Sequence, residues 1–422
     1  MNNIFEKMPE IITKKIGVDF RFELTFEVQN ENEKVILELK SGLAVICGRD
    51  EMLIEKKYEF LPGSKVSIFT WMVYEIELTS NLNFEYFLKE TFKTFYRQMK
   101  KIDLNKKGPI TMIVAPSKAK SYDFFKRLIN SVVGKERRDA TIMTIDLDVR
   151  LNLYLMSGSV TTGILNDSED TGQIFKKFRA YHYGHHSPDS NPELYKLIVK
   201  QLSQILDNRI KADKNVYSSG AIINTCPWNT ESDFEFYRNA VLVFNVDQIF
   251  ILDDQKLYDE LRSTVPDNVE MINLPKSWGL FGDQKLEIFE ARDVNLHNFF
   301  YAPAVYNEIS NVEVKFKEVK IYKIVFPTLK MPCLLAGSVK LKEKMVVVDE
   351  VVPGPNLKNS LFTISRKKYI KGKFMATISF SDLVCVTDID MEKKCFKCIC
   401  RMSSLKGRIL FMMDIKYASR FN

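Results

Sequence analysis

The sequence predicts a multidomain α/β protein: an N-terminal β-sandwich, a central domain built on a parallel sheet, and a small strand-rich C-terminal domain. Three observations carry that expectation. At 422 residues the chain has room for about three domains of ~150 residues each. Its first hundred residues read as short strands punctuated by turns. Its middle alternates continuous apolar runs with helix-spaced segments, and strand patterns return afterwards. The expected boundaries are 1–100, 101–310 and 311–422.

In the first region FRFELTFEV (Phe20–Val28) alternates apolar with polar residues, and Val35–Leu39, Leu43–Cys47, Lys57–Leu61 and Lys65–Trp71 follow at short spacing. Lys40-Ser41-Gly42, Gly48-Arg49-Asp50 and Pro62-Gly63 supply turns, the pattern of a small antiparallel sandwich. Phe84 to Lys100 then places Phe84, Phe87, Leu88, Phe92, Phe95 and Met99 at helical spacing. Beyond the polar linker Lys100–Pro109, ITMIVA (Ile110–Ala115) and TIMTIDLD (Thr141–Asp148) have the continuous apolar character of buried parallel strands, with a helix over Tyr122–Val133 between them. Helices over Pro192–Lys211, Phe234–Phe244 and Lys256–Ser263 alternate with strands within Ser218–Trp228 and at Gln248–Leu252 and Val269–Leu274, which predicts a parallel sheet covered on both faces. Val312–Val325, Lys344–Val352, Phe374–Asp390 and Arg408–Ala418 are the strands of the third region.

Composition excludes several classes. Hydrophobic residues make up 45% and charged residues 27%, an ordinary globular balance. The most apolar run, Ala240–Leu252, is interrupted by Asn245, Asp247 and Gln248, so no membrane span is expected. The N-terminal MNNIFEKMPEIITKK lacks the apolar core of a secretion signal. Seven scattered cysteines, an odd number, suggest reduced thiols. A net charge of +7 permits a nucleic-acid partner without requiring one.

The turn APSKAKSY (Ala115–Tyr122) joins a buried strand to a helix, which is where a phosphate-binding loop sits. Lys120 and Ser121 are the residue types that contact phosphate and a phosphate-bound metal. Ala115 and Ala119 stand where glycines are wanted, and the spacing from Ala115 to Lys120 is one residue short. Holding an L-residue at positive φ costs roughly 1–2 kcal/mol, so a plain strand–helix turn is the competing reading. Asp148, ending its strand, is placed to hold a metal-bound water or take a proton from an attacking hydroxyl, or else to cap its own turn.

Three other clusters stand out. His182, His185 and His186 share one turn, with a structural loop as the alternative to a metal site. Cys395, Cys398 and Cys400 resemble part of a zinc knuckle, but the segment alternates as a strand with Cys398 and Cys400 on one face, so packing is expected and no zinc. SRKKYIKGK (Ser365–Lys373) offers cations to RNA phosphates and Tyr369 to stack, or is a solvated hairpin.

At these residues the sequence resembles the cleavage-and-polyadenylation factor subunit of the polynucleotide 5′-hydroxyl-kinase family. ELTFEV, LKSGLAVICG and PGSKVSIFTW resemble its N-terminal domain, and GPITMIVAPSKAKS stands at its phosphate loop. YHYGHHSPDSNPELYK, SGAIINTCPW, LDDQKLYDEL, LPKS, FFYAP and VKFKEVKIYKI follow in the family's order. The resemblance implies a β-rich N-terminal domain, a central phosphate-loop NTPase-like domain and a small C-terminal domain. It implies ATP and Mg²⁺ as cofactors, with Glu23 and Lys65 at the nucleotide and Lys118, Ala119, Lys120, Ser121 and Tyr122 in the loop. Ser121 and Asp148 would be the Mg²⁺ ligands; Asp148, Lys120 and Arg292 stand at catalytic positions, and Trp228 at a substrate-lining one. Tyr122 replaces a Thr, Arg150-Leu151-Asn152 replaces a Gly-Gln-Gly run, and Asn295 and His297 replace more basic lid residues.

Phosphoryl transfer depends on positioning and charge stabilisation, which the changed positions serve. The expectation is therefore a non-catalytic, ATP-holding scaffold subunit of the nuclear mRNA cleavage and polyadenylation machinery. Its implied partners are the subunit that binds the RNA polymerase II C-terminal tail and other 3′-end-processing subunits, with RNA nearby. An active RNA 5′-hydroxyl kinase, with a role in tRNA splicing, is the alternative.

Overall fold

The computed structural model describes residues 11–19, 22–42, 44–46, 52–69, 73–82, 85–90, 106–116, 121, 124–125, 128–129, 141–150, 152, 156–166, 178–227, 231–252, 254–274, 296–297, 299–301, 309–325, 346–367, 369, 374–375 and 377–417. The chain divides into two compact units. One comprises Met1–Asp103, Lys118–Arg138 and Pro275–Gly282; the other comprises Leu104–Ser117, Asp139–Leu274 and Asp283–Asn422.

The first unit holds the N-terminal β-sandwich. Its strands are β1 (Ile12–Val18), β2 (Phe22–Glu27), β3 (Val35–Ser41), β4 (Val45–Ile46), β5 (Lys57–Phe60), β6 (Lys65–Phe69), β7 (Tyr74–Ser80) and β8 (Tyr86–Glu90). They form two four-stranded sheets, β1-β7-β3-β5 and β4-β6-β2-β8. Alternation puts Leu37, Leu39, Ile76 and Leu78 of one sheet and Leu24, Phe26, Val66 and Ile68 of the other into one buried cluster.

The helical spacing at Phe84–Lys100 misleads over its described part. Tyr86–Glu90 is strand, paired antiparallel along β2 from Phe22↔Glu90 to Phe26↔Tyr86. Phe87 is 63% exposed and Leu88 44%, so these apolar side chains form no buried helix face. Extending the sheet along β2 satisfies backbone hydrogen bonds that an isolated helical pattern does not anticipate.

In the second unit the strands are β9 (Ile110–Val114), β10 (Thr141–Asp146), β11 (Ser159–Asn166), β12 (Phe178–His182), β13 (Ala221–Asn224), β14 (Gln248–Leu252) and β15 (Glu270–Leu274). These are followed by β16 (Ser310–Lys315), β17 (Lys320–Val325), β18 (Val346–Glu350), β19 (Ser360–Ser365), β20 (Phe374–Met375), β21 (Ser379–Asp390), β22 (Cys395–Cys400) and β23 (Ile409–Lys416). The stretch β15-β14-β9-β13-β10 is parallel. β11 and β12 continue it antiparallel, and β12 then pairs with β21 through Ala180↔Phe380 and Tyr181↔Ser379. The sheet thus runs without a break from the central region into the C-terminal strands. The Val312–Val325 run divides into β16 and β17 around a 3₁₀ turn at Phe316–Glu318.

One face of the parallel strands, with Met112, Ile145, Ile223 and Ile249, packs on the helices Pro192–Ala212, Glu231–Phe244 and Gln255–Arg262. The opposite-facing Ile113, Ile222 and Phe250 are also fully buried, which is why these segments read as continuous apolar runs. Pro192 starts its helix behind Asn191, whose Oδ1 accepts from the Leu194 amide at 3.1 Å.

Because the five strands run parallel, the segments leaving β9, β13 and β10 emerge on one edge of the sheet, where open α/β sheets bind ligands. A close backbone approach at the opposite strand ends sets this arrangement. Gly220, at φ +76°, admits the Pro109 carbonyl so closely that a Cβ would lie 2.0 Å from its oxygen, and that oxygen accepts from the Ala221 amide at 3.1 Å. Gly220→Ala is expected to cost at least about 2 kcal/mol of unfolding free energy, measured by urea denaturation. A loss below about 0.5 kcal/mol would remove this constraint from the description.

Candidate functional site

Asp148 follows the buried end of β10 and is 2% exposed. Its Oδ1 accepts from the backbone N–H of Arg150 at 2.9 Å, which closes a local turn, and from Arg150 Nε at 3.2 Å. Its Oδ2 accepts from Arg150 Nη2 at 3.4 Å. The guanidinium therefore lies along both oxygens of the carboxylate. Burial works against the charge of Arg150, but the adjacent carboxylate outweighs it and the guanidinium is held cationic.

The surroundings fix this pair. Asp146 Oδ1 accepts from the Asp148 amide at 3.1 Å and from Asn224 Nδ2 at 2.9 Å, tying the ends of β10 and β13 together. Asn152, fully buried, gathers the following loop: its Oδ1 accepts from the Met156 amide at 3.0 Å and its Nδ2 donates to the Met156 carbonyl at 2.6 Å. Cys226, just beyond β13, points its thiol at the Leu147 carbonyl (3.3 Å) and at Asp148 Oδ1 (3.6 Å). Burial first, and the negative Asp148 second, push that thiol well up and keep it neutral. Tyr195 donates to the Leu147 carbonyl at 3.0 Å, and Tyr237 to the Cys226 carbonyl at 2.6 Å. The cavity among Leu147, Tyr195, Cys226 and Tyr237 has only about 10 Å³, room for no more than a water.

In the sandwich, Glu23 and Lys65 lie on one face of β2 and β6, since Thr25 faces Ser67 and Glu27 faces Lys65. Glu23 is 1% exposed, and its carboxylate accepts from the Ser67 hydroxyl. Lys65 reaches Glu27 at 3.1 Å. A deeply set carboxylate supported by a hydroxyl is chemistry that suits an adenine amino group. Ser121 is helical and 4% exposed. Lys118, Ala119, Lys120, Tyr122, Trp228 and Arg292 lie outside the described residues. Asp148, the expected Mg²⁺ ligand, accepts from Arg150 on both of its oxygens. No group of three acidic, His or Cys side chains among the described residues is arranged to hold a metal. The Asp148–Arg150 partnership went unread in the sequence, although the two-residue spacing was visible; Arg150 registered only as a departure from glycine.

Members of the histidine and cysteine clusters have structural partners. His182 is 1% exposed, and its Nδ1 lies 2.9 Å from Thr363 Oγ1. His185 reaches Asp414 at 3.5 Å. Cys398 and Cys400 share the apolar cluster of Phe362 and Leu410, as the strand alternation predicts, whereas Cys385 belongs to a different cluster with Phe299 and Tyr417.

Three family profiles match the chain. The N-terminal beta-sandwich domain of polyadenylation factor spans residues 18–106, the mRNA cleavage and polyadenylation factor CLP1 P-loop spans 123–302, and the pre-mRNA cleavage complex II protein Clp1 spans 310–419. The P-loop match begins just after the Ala115–Tyr122 turn. The Anopheles gambiae Protein CLP1 homolog is 30% identical over 407 residues, covering 94% of this chain and 95% of that protein. The Drosophila sechellia homolog is 32% identical over 385 residues, covering 88% and 89%. In solved structures, a Clp1p studied for its interface with Pcf11p and for ATP loss in a point mutant matches with TM-score 0.69 at 16% identity, covering 97% of this chain and 99% of its own. A wild-type Clp1p–Pcf11p complex matches with TM-score 0.67 at 15% identity, over the same shares. The likeness supports the three-part fold.

Two measurements check this geometry. Arg150→Met leaves the buried Asp148 carboxylate without its cation and is expected to cost about 3–5 kcal/mol in urea denaturation, with Arg150→Met/Asp148→Asn recovering most of the loss. An unchanged single variant would mean that the pair does not form. His182 is held near pKa 3, by burial first and then by its neighbour His185, against the opposing pull of Asp414. Its folded value is depressed, so its contribution is complete above the unfolded value of about 6.5 and is lost as pH falls towards 3. Stability should therefore drop by about 2 kcal/mol between pH 7 and pH 5, and His182→Gln should remove most of that drop.

Proposed function

The chain belongs to the CLP1 family of mRNA cleavage and polyadenylation factors, and from that premise we propose that it serves the 3′-end-processing complex as a non-catalytic, nucleotide-holding scaffold subunit. The observation that carries this reading is the Arg150 guanidinium lying along both oxygens of Asp148. A general base must present an oxygen within about 2.6–3.2 Å of the hydroxyl it deprotonates. Asp148 instead accepts from its own turn and from Arg150, and is itself only 2% exposed. Phosphoryl transfer has little covalent chemistry to fall back on once positioning is lost.

Nucleotide holding makes smaller demands. The family resemblance gives Glu23 the role of accepting from the adenine amino group, and its carboxylate is held by the Ser67 hydroxyl. We place the protein in the nucleus, as its proposed part in pre-mRNA 3′-end processing requires. Its partner there would be the polymerase-tail-binding subunit that the family resemblance implies, at a surface like the one by which Clp1p binds Pcf11p in the structural neighbours.

An extract depleted of the protein tests the role. Wild type and the stability-matched double variant Arg150→Met/Asp148→Asn are expected to restore pre-mRNA 3′ cleavage equally, while failure of the folded double variant would support the RNA-kinase reading. ATP at about 100 times its Kd should raise the protein's stability by about 2.7 kcal/mol in thermal melts, and Glu23→Gln should reduce the shift. Absence of any shift would leave a nucleotide-free scaffold.

A further inference from the structure

We propose that the C-terminal strands carry a binding groove for the phosphodiester backbone of single-stranded RNA, formed by Lys367, Lys406 and Arg408. Sheet register brings these residues together from distant parts of the sequence. β19 and β23 pair antiparallel with Ile364 opposite Leu410, so the exit of β19 at Arg366 and Lys367 lies beside the entry of β23 at Arg408. β17 enters alongside, with Lys320 opposite Ile409 and its amide donating to the Arg408 carbonyl at 3.2 Å. Lys367, Lys406, Gly407 and Arg408 line an open concavity of about 330 Å³, at the lower end of ligand-sized sites.

The backbone under these cations is fixed. Leu405 is 1% exposed and anchors the turn; the Arg408 amide donates to its carbonyl at 3.0 Å, and the Gly407 amide to the Glu318 carbonyl at 2.8 Å. The Lys367 and Lys406 amides are held by Ser365 and Ser404 hydroxyls at 3.0 and 3.3 Å. The side chains are all exposed. Glu318, the acid of the adjoining turn, directs its carboxylate to the Lys315 amide at 3.2 Å. Among the described residues, no ion pair neutralises Lys367, Lys406 or Arg408. Like charges gathered on a fixed framework repel one another, and a polyanion relieves that repulsion.

An exposed ring favours RNA over an acidic peptide. Tyr369, two residues beyond Lys367, is 65% exposed, and cations interleaved with an aromatic ring are how single strands are held without sequence preference. The choice of RNA rests on the 3′-end-processing reading above, but binding here requires neither ATP nor Asp148.

The test uses the full chain without nucleotide and measures fluorescence anisotropy of a labelled 15-nucleotide oligouridine between about 50 and 200 mM KCl. K367A/K406A/R408A is compared with K200A/K211A/K214A, which removes equal charge from exposed helix positions. The groove variant should weaken binding at least about tenfold and flatten the log–log salt dependence by about 2, while the helix variant loses less than about threefold. Equal losses in both variants would overturn the proposal, since binding would then follow net charge alone. Displacement of the RNA by polyglutamate at equal charge would overturn it in favour of an acidic protein segment. Either failure leaves the extract complementation result untouched.

Discussion

The contact between Asp148 and Arg150 is the interaction on which the functional reading turns. A carboxylate sits at the carboxyl end of a central strand, beside the edge where a parallel sheet binds its ligands, and the chain supplies its own cation two residues later. Burial makes the pair consequential. In water such an ion pair contributes little, whereas at 2% exposure the removal of either partner strands a charge. The same burial couples the pair to its scaffold through Asp146, Asn224 and the thiol of Cys226. The Asp148 carboxylate is thereby part of the polar packing between β10 and β13.

The sheet extends this logic beyond the parallel strands. β11 and β12 carry the hydrogen-bonded ladder from β10 to β21, so the C-terminal strands continue the structure that holds Asp148. Gly158 shows how tightly the junction is made: at φ +75° it sits where a Cβ would meet Ile415 Cδ1 at 2.5 Å. His182 on β12 and Thr363 on β19 add a buried polar contact across the same region. The sheet is thus continuous across the boundary that the sequence suggests at about residue 310.

Legibility in the sequence followed the physics of burial. β9, β10 and β14 were readable because both faces are covered and nearly every residue is buried; Gln248–Leu252 has the same limits in sequence and structure. β11 and β12 were not read, since SVTTGILN buries Ser159, Thr161 and Thr162 through ladder pairing rather than hydrophobic alternation. β1 was hidden by Lys14 and Lys15, and the helical spacing around Phe87 concealed β8. The basic run at Arg366–Lys367 was visible, but its partners Lys406 and Arg408 were not, because only the β19–β23 register brings them near. Asp148 was found by its place at a strand end, whereas the role of Arg150 needed coordinates.

The most direct measurement is phosphoryl transfer itself. The purified chain is incubated with γ-labelled ATP, Mg²⁺ and an oligoribonucleotide bearing a 5′-hydroxyl, beside the stability-matched Arg150→Met/Asp148→Asn. If Arg150 holds Asp148 out of catalysis, wild type labels the RNA no faster than the variant. Labelling by wild type that the folded double variant lacks would show Asp148 acting in catalysis and contradict the scaffold reading.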